Sequence, residues 1–445
     1  MDEVTAKLTA RVADAGKSEA ISPTLSVATP PYAGSPIKAV GWRGLVLAGP
    51  GVLVAVGYID PGNWATDIAG GSYAGYALLS VVFISSLLAM LLQIMSARLG
   101  IATGKDLAES SREQWPRLVW PAWIAAELTI VATDLAEVIG SAIALKLLFA
   151  IPIILGVVLT SLDVFLLLML DRRGSRLLER IIISFLFIIA CGFVYELALA
   201  QPAIAEVLRG FLPSGRLVFD SQLLYLSLGV IGATVMPHNL YLHSNLVLQR
   251  YAGISKVKAG SIAKFNTLIS LSVAMLLNAA LVVLAASVFH QAGHLHVTEL
   301  SDAHRLLVPL LGTGMAALVF AIMLLAAGQS ATITGTLAGQ VVMCGFIRMR
   351  MKPWLRRLVT RMLALVPALF VLIYFGERST MQLLVGSQVF LSLQLPLAMV
   401  SLLRLTSDKR RMGLLVNSRW MRWLGWLGAI IIILANVVLI IEMMG

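Results

Sequence analysis

Two short stretches place ligand-type side chains beside a proline inside otherwise apolar sequence: GYIDPGNWATD, from Gly57 to Asp67, and GATVMPHNLYLHS, from Gly232 to Ser244. Pro61 has no N–H, so the Gly57 carbonyl loses its helical partner, and Pro237 does the same to the Ala233 carbonyl. Gly62 further eases the departure from helical geometry. An orphan carbonyl in an apolar medium is costly unless another group binds it. When the two prolines are aligned, Asp60 matches Met236 and Asn63 matches Asn239. The available donors are the Asp60 carboxylate, the Asn63 amide oxygen, the Met236 thioether and the carbonyls of Gly57 and Ala233. The oxygens suit a divalent cation such as Mn²⁺, Fe²⁺ or Mg²⁺, and the sulfur favours transition metals over Mg²⁺ or Ca²⁺.

A third stretch, AAELTIVATDLAEVIG, puts Glu127, Asp134 and Glu137 into apolar surroundings at helical spacing, along one face. Three buried carboxylates on one stripe do not all stay charged, which is the makeup of a proton relay. The alternative is a structural ion pair with basic groups elsewhere, for example Arg356 and Arg357, and the two readings are compatible because an acid–arginine network can also conduct protons. His238, directly after Pro237, is placed to link the metal donors to this stripe, since histidine titrates near neutrality.

The elements that must position these groups follow from composition. Of the 445 residues, 59% are hydrophobic and only 13% charged, with mean hydropathy +0.89, far from a soluble domain's balance. Continuously apolar stretches recur from end to end, which indicates membrane helices rather than a barrel. Eleven spans are read at about 44–70, 75–98, 119–146, 149–170, 177–200, 222–249, 262–289, 311–346, 357–375, 380–404 and 422–443. Residues 1–42 read as a disordered cytosolic tail with no signal-peptide core. An odd number of spans, five, separates the two prolines, so the second half is inverted relative to the first. Paired Pro/Gly-broken helices at matching positions of inverted halves mark a transporter's midplane site. The chain divides into repeat 1 (43–220), repeat 2 (221–405) and a loop with an eleventh helix (406–445).

The formal net charge of +11 is topological rather than a nucleic-acid footprint. With the N-terminus in the cytosol, all but five of the 34 Lys and Arg residues fall inside, the exceptions being Lys146, Arg209, Arg216, Arg305 and Arg378. The C-terminus is then outside. Cys191 and Cys344 lie in apolar spans and suggest neither disulfide nor thiolate site. The absence of any N-x-[ST] sequon favours a bacterial inner membrane.

The motifs DPGN and MPHNLYLHS resemble the signatures of the Nramp family, the natural-resistance-associated macrophage proteins, which are proton-coupled divalent metal transporters. ATDLAE in the third span, LRR at Leu355 to Arg357 and SQV at Ser387 to Val389 extend the resemblance over all but the tail. The bacterial manganese transporters are the nearest likeness. The resemblance implies an all-α integral membrane protein of eleven helices, ten of them in two inverted five-helix repeats of LeuT type (APC-like). It places metal ligands on Asp60, Asn63, Met236 and the Ala233 carbonyl, with the Gly57 carbonyl and Gln388 joining in an occluded state. Proton movement is tied to Asp60, His238, Glu127, Asp134 and Glu137, with Arg356 and Arg357 completing the route toward the cytosol. Members that carry Mg²⁺ lack the methionine. Gly57 departs from the alanine common there, at a position where only the carbonyl is needed.

The expected function is therefore a secondary transporter, not an enzyme, importing Mn²⁺ or Fe²⁺ with H⁺ as co-substrate. No cofactor, nucleic acid or obligate protein partner is expected. An amino-acid permease of the same architecture is the competing reading, but Asp60 and Met236 suit a substrate carboxylate poorly. An intramembrane metalloprotease would need an H-E-x-x-H helix, which is missing from the sequence. Asp163, Gln394 and the loop histidines His290, His294 and His296 have no assigned role, the last reading as solvated. Trp420, Trp423 and Trp426 read as interfacial anchors.

Overall fold

The computed structural model describes residues 49–160, 175–297, 299–349 and 351–444. The predicted tail, Asp163 and most of the fourth span lie outside the described residues. Among the described residues the fold is all-helical. The long elements are α1 (Pro50–Gly57), α2 (Pro61–Ala74), α3 (Leu79–Thr103), α4 (Val119–Phe149), α5 (Ser175–Ala200), α6 (Ser221–Val235), α7 (Pro237–Arg250), α8 (Lys256–Ala285), α9 (Gly314–Ile347), α10 (Pro353–Phe375), α11 (Thr380–Ser407) and α12 (Arg419–Met444). Nine helical stretches among the described residues are long and apolar enough to cross a membrane. One of them, Pro61–Thr103, runs from the second half of the first predicted span through the whole of the second. The fourth span is seen only as Ile153–Thr160.

Helix ends fall where local chemistry places them. Gly104 closes α3 with φ 71°, a left-handed cap that glycine adopts without a Cβ penalty. Pro61 and Pro237 each occupy the first position of their helices, where a missing N–H costs nothing. The same residue that ends one half-helix thus starts the next. The ninth predicted span begins earlier than expected, at Pro353, so Arg356, Arg357 and Arg361 all lie within α10.

Burial sorts the helices into centre and rim. In the most apolar window of the α6–α7 stretch 83% of residues are buried, against 22% for α10 and 28% for α5 and α12. The rim helices turn Phe187, Val194, Ile373 and Trp423 outward, as lipid contact allows. Centrally, α4 packs along α9, α6 along α11, and α8 along α3. Small residues permit the close approaches: a Cβ on Gly140 of α4 would stand 2.1 Å from the Pro61 Cβ, which pins α4 against the start of α2.

Candidate metal site at the paired helix breaks

The first break spans Tyr58 to Asp60. Tyr58 and Ile59 donate back to the Ala55 and Val56 carbonyls at 3.1 and 3.2 Å, tightening the end of α1. Asp60 then turns extended and caps α2: its Oδ1 accepts from the Asn63 N–H at 2.8 Å and from Asn63 Nδ2 at 2.9 Å. The carboxylate is thus divided, one oxygen serving the helix cap while Oδ2 meets no hydrogen-bond donor.

The second break is a single residue. Met236 stands between α6 and α7 with φ 41°, in the left-handed region that non-glycine residues seldom enter. Its N–H returns to the Gly232 carbonyl at 3.2 Å. Its sulfur accepts from Asn239 Nδ2 at 3.2 Å. Strain of this kind persists where surrounding structure over-determines it, and it clusters at functional sites.

One hydrogen bond joins the breaks. Asn63 Nδ2, on α2, donates to the Ala233 carbonyl of α6 at 3.2 Å. That carbonyl is the one Pro237 strips of its helical partner. Gln388 completes the enclosure from α11: a Cβ on Gly62 would lie 1.9 Å from its Nε2, so glycine makes room for the amide. Gly57 faces Asn239 across the gap, with Asn239 Nδ2 2.6 Å from where a Cβ would be. Asp60, Asn63, Ala233, Met236 and Gln388 are all fully buried. Within this pocket Asp60 Oδ2, Asn63 Oδ1 and Gln388 Oε1 have no hydrogen-bond partner.

Buried acceptors without donors are costly, and a bound cation would satisfy them. The C-terminal ends of α1 and α6 add partial negative charge. The donor set mixes carboxylate, amide, carbonyl and thioether. No group of three or more His, Cys, Asp or Glu with metal-holding geometry occurs among the described residues, since all but one of these donors are of other types.

The acid stripe on α4 runs beside the breaks. His238 Nδ1 lies 3.4 Å from Thr133 Oγ1, directly before Asp134 in sequence. A Cβ on Gly335 would stand 3.0 Å from Glu137 Oε1, placing Glu137 against α9. Glu127 takes Arg356 Nη2 at 3.0 and 3.2 Å. Asp134 takes a basic partner that the sequence reading did not name, Arg361, at 2.5 Å. The Arg357 side chain lies outside the described residues. The physical reason is register. Asp134 stands two helical turns along α4 from Glu127, and Arg361 lies five residues beyond Arg356 on α10, so each acid has its own arginine.

Three further polar groups were missed in the sequence. Tyr58, Gln93 and His243 form a buried chain, with Gln93 Nε2 donating to Tyr58 Oη at 3.0 Å and His243 Nδ1 3.0 Å from Gln93 Oε1. Their signal was present, since Gln93 and His243 are polar residues within apolar spans. Gln394 lines a cavity of about 360 Å³ together with Thr129, Pro237, Tyr241, Phe346 and Arg404. Among the described residues the loop histidines belong to no metal-holding group; His290 Nδ1 lies 2.8 Å from the Ser72 carbonyl, and the His296 ring meets that of Tyr73 at a tilt, 5.7 Å between centroids.

Comparison with known proteins gives a consistent neighbourhood. A model of the Natural resistance-associated macrophage protein-like family matches residues 51–442. The divalent metal cation transporter MntH of Brucella suis is 51% identical over 402 residues, covering 89% of this chain and 88% of that protein. MntH of Listeria innocua is 48% identical over 396 residues, covering 88% of each. A crystal structure of the Eremococcus coleocola manganese transporter superposes with TM-score 0.81 at 42% identity, over 94% of this chain and 90% of that one. The nucleobase-cation-symport-1 transporter Mhp1 shares the fold, with TM-score 0.60 at 16% identity over 94% and 95% of the two chains.

Proposed function

The chain belongs to the Nramp family, and from that premise we propose that it is a proton-coupled importer of divalent transition metal ions, Mn²⁺ foremost and Fe²⁺ beside it. The observation that carries the reading is the Asn63–Ala233 hydrogen bond, which joins the two helix breaks around three unpartnered acceptor oxygens. The relatives named as divalent metal cation and manganese transporters support the same substrate class.

In this proposal Asp60, Asn63, Met236 and the Ala233 carbonyl bind the partly dehydrated ion. Gln388 and the Gly57 carbonyl close on it in the occluded state. The ion's charge discourages a proton on Asp60, and the proton passes by way of His238, or directly, to Glu137, Asp134 and Glu127. Arg356, Arg357 and Arg361 complete the route toward the cytosol. Rearrangement of the half-helices α1, α2, α6 and α7 about the breaks gives alternating access. The membrane potential adds about 2.3 kcal/mol per charge per 100 mV.

The architecture that goes with it is eleven spans, ten of them in two inverted repeats (43–220 and 221–405). The protein lies in a bacterial inner membrane with the N-terminus cytosolic and the C-terminus outside. The test is uptake of radiolabelled Mn²⁺ into proteoliposomes at two external pH values with Fe²⁺, Cd²⁺ and Mg²⁺ as competitors. Faster uptake at the lower pH, inhibited by Fe²⁺ and Cd²⁺ but not by Mg²⁺, is expected. Uptake indifferent to pH, or blocked by Mg²⁺, overturns the reading.

A further inference from the structure

Asp67 is a carboxylate that the site above leaves unused. It is 1% exposed, and neither of its oxygens meets a hydrogen-bond donor. Among the described residues no Lys, Arg or His forms an ion pair with it. A carboxyl so buried and unpartnered is costly to hold in its charged form unless a cation meets it.

Its position gives it a use. Asp60, Asn63 and Asp67 follow one another at three and four residues, so they share one face of α2, with Asp67 about 10 Å along the axis from Asp60. The side chains between them turn elsewhere. Trp64 packs on Phe193 and Phe320 at 5.4 and 5.2 Å, while Thr66 donates back to the Asn63 carbonyl at 2.9 Å and presents its methyl to Gly229. Beyond Asp67 the face carries only Gly70, Gly71 and Ala74. Four acceptor oxygens without donors therefore lie on a single stripe: Asp60 Oδ2, Asn63 Oδ1 and both oxygens of Asp67. A doubly charged ion bound at Asp60 alone leaves one positive charge uncompensated, and a second carboxylate on the same face supplies the balance.

We propose that Asp67 is a second, transient cation site, whose carboxylate takes a divalent transition metal ion two helical turns from Asp60 and exchanges it along this stripe. This rests on the metal-transport reading, and in the orientation given there Asp67 stands on the outer approach.

The test is Mn²⁺ binding by the full-length purified chain, followed by electron paramagnetic resonance titration. Asp60→Ala retains one weakly held Mn²⁺, and Asp60→Ala/Asp67→Ala binds at least tenfold more weakly. Equal binding by the two variants, at any level, overturns the proposal. If Asp60→Ala does not yield monodisperse protein, Asn63→Ala with and without Asp67→Ala makes the same comparison. Mn²⁺ uptake by the unaltered chain in the same preparation separates the two readings. A chain that transports while the variants bind equally loses only the Asp67 site, whereas a chain that does not transport loses the function.

Discussion

Gly232→Ala tests how α11 presents Gln388 to the breaks. A Cβ on Gly232 would stand 2.0 Å from the Gln388 carbonyl oxygen and 2.7 Å from the Ser392 nitrogen. Both are backbone atoms, so no rotamer change relieves the clash. Ordinary carbon contacts lie near 3.5 Å, so α6 and α11 must part by about 1 Å or more. Overpacking of this kind costs about 1–3 kcal/mol. A functional cost comes with it, because α6 carries the Ala233 carbonyl and α11 carries Gln388. A shift of about 1 Å in a positioned site reduces rates on the order of a hundredfold. The assay is Mn²⁺ uptake in proteoliposomes together with thermal unfolding in detergent. Gly232→Ala should fold with a lowered midpoint and lose at least tenfold in uptake. Gly386→Ala is the control on α11, since its Cβ would meet only Tyr225 Oη, at 3.5 Å, and it should behave like the unaltered chain. Unaltered uptake by Gly232→Ala would refute the packing that places Gln388 beside Gly62.

Met236→Ala should keep Mn²⁺ uptake but admit Ca²⁺ or Mg²⁺ more readily, because the remaining oxygen donors no longer disfavour hard ions; competition assays with both ions check this. Arg361→Ala leaves Asp134 as an uncompensated buried charge, and breaking such a pair costs about 3–5 kcal/mol. Lys105→Ala breaks the Lys105–Glu113 pair, whose side chains are each 40% exposed, at a cost of about 0–1 kcal/mol. The unfolding midpoint should therefore fall clearly for the first and hardly for the second. Asp60→Ala should reduce Mn²⁺ uptake to the background of empty liposomes, as measured with radiolabelled metal.

The helix breaks were legible in the sequence because they follow from a covalent fact. Proline lacks an N–H wherever it stands, so the orphaned carbonyls at Gly57 and Ala233 could be named before any coordinate was known. That Asn63 donates to Ala233 was not legible, because it depends on how α2 and α6 face each other. The same limit explains Arg361. The stripe of Glu127, Asp134 and Glu137 follows from helical spacing within one span, but its partners depend on the register of α10 against α4. A clue was available: Arg361 lies inside the predicted ninth span, and an intramembrane arginine calls for a partner. Asp67 and Glu196 carried the same clue in the first and fifth spans. Glu196 is fully buried with both oxygens unpartnered. Gln388 came from family resemblance alone, since an isolated glutamine in an apolar span does not say which site it faces.

The central claim is that a divalent ion sits where the two breaks meet. Anomalous diffraction at the manganese edge, from crystals of the full chain grown with Mn²⁺, tests it most directly. The account predicts a single strong peak in direct coordination range of Asp60 Oδ2, Asn63 Oδ1, Met236 Sδ and the Ala233 carbonyl. A peak elsewhere, with none between α2 and α6, would contradict it.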